Sequence, residues 1–141
     1  MCTGNSCRSQ IAHGYMELFA GNKADIFSAG IETHGLNPYA VKVMKEDDVD
    51  ISQYTSNLID DYLNVNFYLL ITVCDHAKET CPVFIKATTV VHKNFSDPSR
   101  SSGTEENKWN EFRKIRDEIR IFCQELIQDY LFNGEETPSP L

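Results

Sequence analysis

The run Asn66-Phe67-Tyr68-Leu69-Leu70-Ile71-Thr72-Val73 constrains the fold of this chain more tightly than any other stretch. It is almost continuously apolar, the pattern of a strand buried on both faces of a sheet. Thr88-Thr89-Val90-Val91 is a second β-branched run, and Ile26-Phe27-Ser28-Ala29, ended by Gly30, reads as a short third strand. Helical patterns lie between them. Ile11, Tyr15, Leu18 and Phe19 recur at helical spacing, with Gly21-Asn22 as a C-cap. Asn37 and Pro38 supply an N-cap and a first-turn proline for a helix through about Asp47, with Ala40, Val41 and Met44 on its apolar face. Thr55 or Ser56 caps a short helix containing Leu58, Ile59 and Leu63. Thr104 caps a last helix running to about Phe132, with Trp109, Phe112, Ile119, Phe122, Leu126 and Tyr130 on one stripe. Strands alternating with helices imply an α/β fold: a three-layer open parallel sheet with helices on both faces. In such sheets the working groups gather beyond the carboxyl ends of the strands.

The chain's 141 residues suit one domain, residues 1–132. Gly134 stops the last helix, and the acidic, proline-containing residues 133–141 are expected to be a disordered tail. A net charge of -8 argues against nucleic acid and anionic membrane as partners, since both require a basic face. No apolar run approaches the roughly 18 residues of a membrane span, and no basic-then-apolar leader opens the chain. Five cysteines, an odd number, fit a secreted disulfide framework poorly, which makes cytoplasm the expected compartment.

The chemistry is concentrated in Cys2-Thr3-Gly4-Asn5-Ser6-Cys7-Arg8-Ser9. A cysteine, five residues and an arginine form an oxyanion cradle if the backbone curls with its N–H groups inward. Gly4 and Asn5 suit that curl because both tolerate left-handed angles. Ser9-Gln10-Ile11-Ala12 reads as the first turn of a helix, whose N-terminus adds partial positive charge. A tetrahedral oxyanion is then held by the backbone of Thr3 to Cys7, the helix end and the Arg8 guanidinium fork. The same field favours thiolate over thiol at Cys2 and makes it the nucleophile. Cys7 and Cys123 read as packing cysteines, and His13 as a surface or packing histidine.

Two further groups should open onto the same crevice. Cys74 directly follows the long apolar run, and Asp97-Pro98 follows the β-branched one. Cys74 and Cys81 bracket a polar segment and can bridge only if it buckles. Four and six intervening residues between paired cysteines fit structural zinc poorly, so no metal site is assigned. A redox relay with Cys2 accounts for the pair better than chance does. Asp97 is either a turn residue or a general acid/base facing the loop, and its place after the strand favours the second. His34 and His76 receive no role.

The loop closely resembles that of thioredoxin-coupled arsenate reductases, which share the low-molecular-weight protein tyrosine phosphatase fold. The likeness continues through Ser28-Ala29-Gly30-Ile31-Glu32-Thr33-His34-Gly35, Asn37-Pro38, Cys74 to Cys81-Pro82, Asp97-Pro98 and Arg116-Asp117-Glu118-Ile119. It implies a three-cysteine relay that reduces arsenate to arsenite, as in arsenic detoxification. Cys2 attacks arsenate held by Arg8 and the loop, Ser9 stabilises the thiolate, and Asp97 protonates the departing oxygen. Cys74 then attacks Cys2, and Cys81 attacks Cys74, leaving a disulfide for thioredoxin to reduce. No bound cofactor is implied, and a monomer is expected. A tyrosine phosphatase needs neither Cys74 nor Cys81, and Ser99-Arg100-Ser101-Ser102 stands where that family grips a substrate ring with aromatics. A truncated relative that only binds oxyanions is the non-enzymatic alternative.

Two departures from the family bear on the fold. Some members bind potassium near the loop, but His13 and Asn57 stand where an acidic residue is usual. The family also has an apolar strand before the loop, where this chain shows only Met1. The expectation is a gap between the segments at Ile26 and Phe67, a freed entry to the loop, and Met1 as an internal residue at that strand's end. A chain that truly starts at Met1 is expected to be poorly stable and weakly active.

Overall fold

The computed structural model describes residues 1–75 and 86–132. His76, Cys81, Pro82 and the tail at 133–141 lie outside the described residues. Two strands, β1 (Asn66–Thr72) and β2 (Lys86–His92), pair in parallel, with Asn66 opposite Lys86 and Thr72 opposite His92. Among the described residues three α-helices accompany them: α1 (Arg8–Ala20), α2 (Pro38–Glu46) and α3 (Glu105–Ile127), the last continued by a π-helical turn at Gln128–Phe132. The result is an open, unclosed α/β sheet with its helices packed on one another and around a single apolar core.

Capping follows the sequence closely. Asn37 Oδ1 accepts the Tyr39 and Ala40 N–H groups at the start of α2, and Thr104 Oγ1 accepts from Asn107 N at the start of α3. Gly21 closes α1 at φ 58°, a conformation that favours glycine. The α3 stripe buries Phe112, Ile115, Ile119, Phe122, Cys123 and Leu126. α2 and α3 are also clasped by charge. Arg116 Nη1 donates to the Val43 carbonyl at 2.9 Å and to Glu46 at 3.1 Å, Arg113 reaches Glu46 at 2.9 Å, and Arg120 reaches Asp47 at 2.9 Å.

Several expectations need correction. Leu18 is exposed on α1, and Val43 rather than Val41 joins Ala40 and Met44 on the buried face of α2. Thr55 and Ser56 cap nothing. The expected short helix is a 3-10 turn at Ile59–Tyr62 with Leu58 at its N-cap, and the Ser56 hydroxyl is drawn away to the Gly4 and Asn5 carbonyls. β1 is only half buried, with Tyr68 exposed, rather than covered on both faces.

Ile26–Ala29 forms no regular strand either. The chain pairs there only at Gly30, which bridges Cys2 on one side and Leu58 on the other. A row of hydrogen bonds nonetheless crosses the molecule at this level. Asn57 O accepts from Gly30 N (2.8 Å), Ala29 O from Cys2 N (3.3 Å), and Ile71 O from the Met1 ammonium (2.7 Å). The Val73 N–H returns to Met1 O at 2.9 Å. The entry to the loop is therefore anchored on both sides, not free. Beyond this row an apolar cleft of about 170 Å³ separates β1 from residues 24–29, lined by Met1, Ile26, Phe27, Phe67, Leu69 and Ile71 among others. This is the expected gap, and the rings of Phe27, Tyr62 and Phe67 meet across it at centroid distances of 5.5 and 6.2 Å.

Candidate active site

The Cys2–Cys7 loop turns its carbonyls outward one after another. Thr3 O accepts from Glu32 N, Gly4 O from His34 N, and Ser6 O from Asn37 N, at 2.8, 2.9 and 3.0 Å. Asn5 O accepts from Gln10 Nε2 and Ser56 Oγ at 3.0 and 2.9 Å. In a trans peptide the next N–H points opposite to the carbonyl. The N–H groups of Gly4, Asn5, Ser6 and Cys7 consequently face the inside of the loop, as an oxyanion cradle requires. Asn5 makes the curl at φ 47°. Gly4 does not need a left-handed angle; its missing side chain makes room for His34, whose Nδ1 would lie 2.3 Å from an added Cβ. Gly30 backs the loop even more closely, with Asn5 N, Thr3 O and Glu32 O each 2.7 Å from where a Cβ would stand.

α1 begins at Arg8, so its positive end adjoins the cradle. Arg8 Nη1 donates to Phe95 O at 2.9 Å, and Nη2 stands 3.7 Å from Asp97 Oδ2. The buried Cys2 thiol donates to Ser9 Oγ at 3.0 Å, and Asn5 Nδ2 donates to the same oxygen at 2.8 Å. Ser9 thus connects the nucleophile to the loop's own asparagine. Burial and the nearby Asp97 and Cys2 push the Cys7 thiol well up, and burial pushes Cys123 up to about 12. Both stay protonated, which fits packing rather than chemistry.

A cavity of about 620 Å³ opens above the loop. Cys2, Arg8, Cys74 and Asp97 all line it, so the groups expected at the carboxyl ends of the strands do converge. Cys74 is buried, with its Sγ 3.6 Å from Thr3 Oγ1. Asp97 Oδ1 is engaged by Ser99 N at 3.0 Å and Ser99 Oγ at 2.6 Å, while Oδ2 faces Arg8 and Arg100. Cys81 lies outside the described residues. The structure also brings in residues to which the sequence assigned no part in the site: His34, Asp75, Asn94 and Arg100 line the cavity, and Gln10, Ser56 and Asn57 support the loop from behind. Gln10 had one visible signal, a long amide on the buried face of α1.

His13 and Asn57, the two positions set against acidic potassium ligands in the sequence, are each engaged with neighbouring side chains or backbone. His13 Nδ1 lies 2.7 Å from Ser28 Oγ and its Nε2 2.6 Å from Glu17, while Asn57 Nδ2 and N donate to Thr55 O and Asn5 Oδ1.

Residues 1–133 match the model of the low molecular weight phosphotyrosine protein phosphatase family. The chain belongs to that family. Among its relatives are arsenate reductases of Halalkalibacterium halodurans, 50% identical over 84% of this chain and 86% of the relative, and of Bacillus subtilis, 49% identical over the same shares. Similar solved structures include an arsenate reductase in the phosphate binding state, with a TM-score of 0.78 and 26% identity over 91% of this chain and 93% of that one. The arginine phosphatase YwlE from Geobacillus stearothermophilus shares the fold, with a TM-score of 0.74 at 20% identity over 97% of this chain and 94% of its own. Proteins of both kinds thus share this fold.

Proposed function

We propose that this family member reduces arsenate to arsenite through Cys2, Cys74 and Cys81. The observation that carries the reading is Cys74, buried beside Thr3 in the cavity that holds Cys2, Arg8 and Asp97. A phosphatase has no use for a second sulfur there. The names of the relatives at about half identity point the same way.

The Cys2 thiolate attacks arsenic while Arg8 and the inward N–H groups of Gly4 to Cys7 hold the oxygens. Asp97 gives a proton to the departing oxygen, which leaves as water. As the Cys2 proton leaves, the Ser9 hydroxyl turns to donate to the sulfur. The Cys74 thiolate then attacks Cys2 Sγ. A sulfur–sulfur bond forms, the sulfur–arsenic bond breaks with its electron pair, and arsenic passes from the +5 to the +3 state. Cys81 attacks Cys74 and releases the Cys2 thiolate, leaving a Cys74–Cys81 disulfide. A dithiol protein of the thioredoxin type in a reducing cytoplasm restores the pair. The two electrons come from thiols, so the reading assigns no cofactor.

Mass spectrometry after one equivalent of arsenate tests the proposal. The expected product carries a Cys74–Cys81 link and one arsenite per chain. A product with all three thiols free and the oxyanion unchanged overturns it.

A further inference from the structure

β2 ends by reaching over to the turn that carries Cys74. The His92 ring bridges two groups: Nδ1 lies 2.7 Å from Thr72 Oγ1, and Nε2 lies 2.8 Å from Asp75 Oδ1. Two residues further on, Asn94 Oδ1 accepts the Asp75 backbone N–H at 3.0 Å. Asp75 directly follows Cys74, so both hydrogen bonds act on the residue next to the sulfur. On the other flank, the Phe95 N–H donates to Val73 O at 3.1 Å and Val73 N donates to Met1 O at 2.9 Å. Cys74 is therefore gripped before and after, and its sulfur stays beside the loop.

The two halves of this grip differ. Val73 is fully buried and belongs to the core, whereas the Asp75 side chain is 65% exposed. An exposed carboxylate held by one imidazole and one backbone bond contributes little to the fold, because water competes for every group in it. Its geometric effect is larger, since a displacement of about 1 Å in a reacting group can change a rate a hundredfold. Asp75, Asn94 and Cys74 also line the same cavity, so the grip closes the site on the side from which Cys74 approaches.

We propose that His92 and Asn94, through Asp75, are positioning residues that hold Cys74 in line for its attack on Cys2. The proposal rests on the reductase reading given above. The step served is the first sulfur–sulfur transfer: the Cys74 thiolate bonds to Cys2 Sγ, and the Cys2–arsenic bond breaks with its electron pair to arsenic. None of the three residues exchanges a proton or an electron in it.

The test uses the full chain carrying Cys81→Ser, which stops the relay after the first disulfide. After one equivalent of arsenate and rapid acid quench, the mass of the Cys2–Cys74 linked peptides gives the rate of that step. Asp75→Ala and His92→Ala are expected to slow it about tenfold or more. Asp75→Asn keeps an accepting oxygen for His92 and should restore most of the rate. Phosphate should still protect Cys2 from iodoacetamide in all three, at least as well as in the parent, since none of the substitutions removes a group of the cradle. Equal rates in the parent and Asp75→Ala overturn the proposal, as does an Asp75→Asn rate no better than that of Asp75→Ala. A parent that never forms the Cys2–Cys74 link rejects the relay itself, a result read before any variant is compared.

Discussion

Thr3 Oγ1 lies 3.6 Å from Cys74 Sγ, across 71 residues of chain. A loop residue beside the nucleophile and a residue just past the end of β1 meet because both sit at the carboxyl edge of one sheet. The contact sets the proposed reductase reading apart from a phosphatase reading, which needs no sulfur at residue 74. Replacing Cys74 by serine preserves a polar partner for Thr3 and should leave the fold and oxyanion binding intact. Arsenate-dependent, thioredoxin-coupled NADPH consumption should fall by roughly three orders of magnitude, as expected when a nucleophile is removed. Turnover that survives in Cys74→Ser would make the second sulfur irrelevant.

Ser9 Oγ accepts from both Cys2 and Asn5, so its removal has two consequences. In Ser9→Ala the buried Asn5 amide loses an acceptor, at a cost of about 1–3 kcal/mol in urea unfolding. The thiolate also loses a hydroxyl that can donate to it, so alkylation of Cys2 by iodoacetamide at neutral pH should slow. Ser9→Thr keeps the hydroxyl and should recover the alkylation rate.

Two glycines near the loop should respond differently to alanine. At Gly30 an added Cβ meets three backbone atoms at 2.7 Å, none of which can yield without opening the cradle. Gly30→Ala should cost about 2 kcal/mol or more, as overpacking does, and weaken phosphate protection of Cys2. At Gly4 the obstacle is the exposed His34 ring, which can swing aside. Gly4→Ala should therefore change thermal stability little.

His13 gives stability a dependence on pH. Burial lowers its pKa below the ordinary 6.5, with the neighbouring Glu17 pulling the other way. The folded ring stays neutral at pH values where the unfolded one has taken a proton. Its contribution is complete above about pH 6.5 and declines as pH falls toward the folded value, because protons bind the unfolded chain first. His13→Gln keeps polar contacts to Ser28 and Glu17 but does not titrate. Urea midpoints measured between pH 7.5 and 5 should fall less steeply in that variant than in the parent.

The sequence carried the helices and the site chemistry better than it carried the sheet. Asn37-Pro38 and Thr104 signalled their helices because a cap is a local interaction between neighbours in the chain. The cradle was legible for the same reason, since the loop is one contiguous segment, and Cys74 and Asp97 could be placed because strand ends share an edge. Ile26–Ala29 failed as a strand because pairing depends on a neighbour, and only Cys2 and Leu58 reach Gly30. The aromatic and β-branched residues of β1 likewise say nothing about what lies alongside, so its half-exposed face was misjudged. Ser56 looked like a helix cap because its hydroxyl's true partners, the Gly4 and Asn5 carbonyls, are some fifty residues away. His92 and Asn94 left no trace in the pattern; their effect on the Cys74 turn exists only once β1 and β2 are in register.

The cleft beside β1 has a consequence for how the strand exchanges its amides. Among the described residues, β1 is laddered to β2, and on its other side Met1 hydrogen-bonds with Ile71 and, just past the strand, Val73. Alternate amides from Phe67 to Leu70, turned toward the cleft, should then trade hydrogen for deuterium far faster than those turned toward β2.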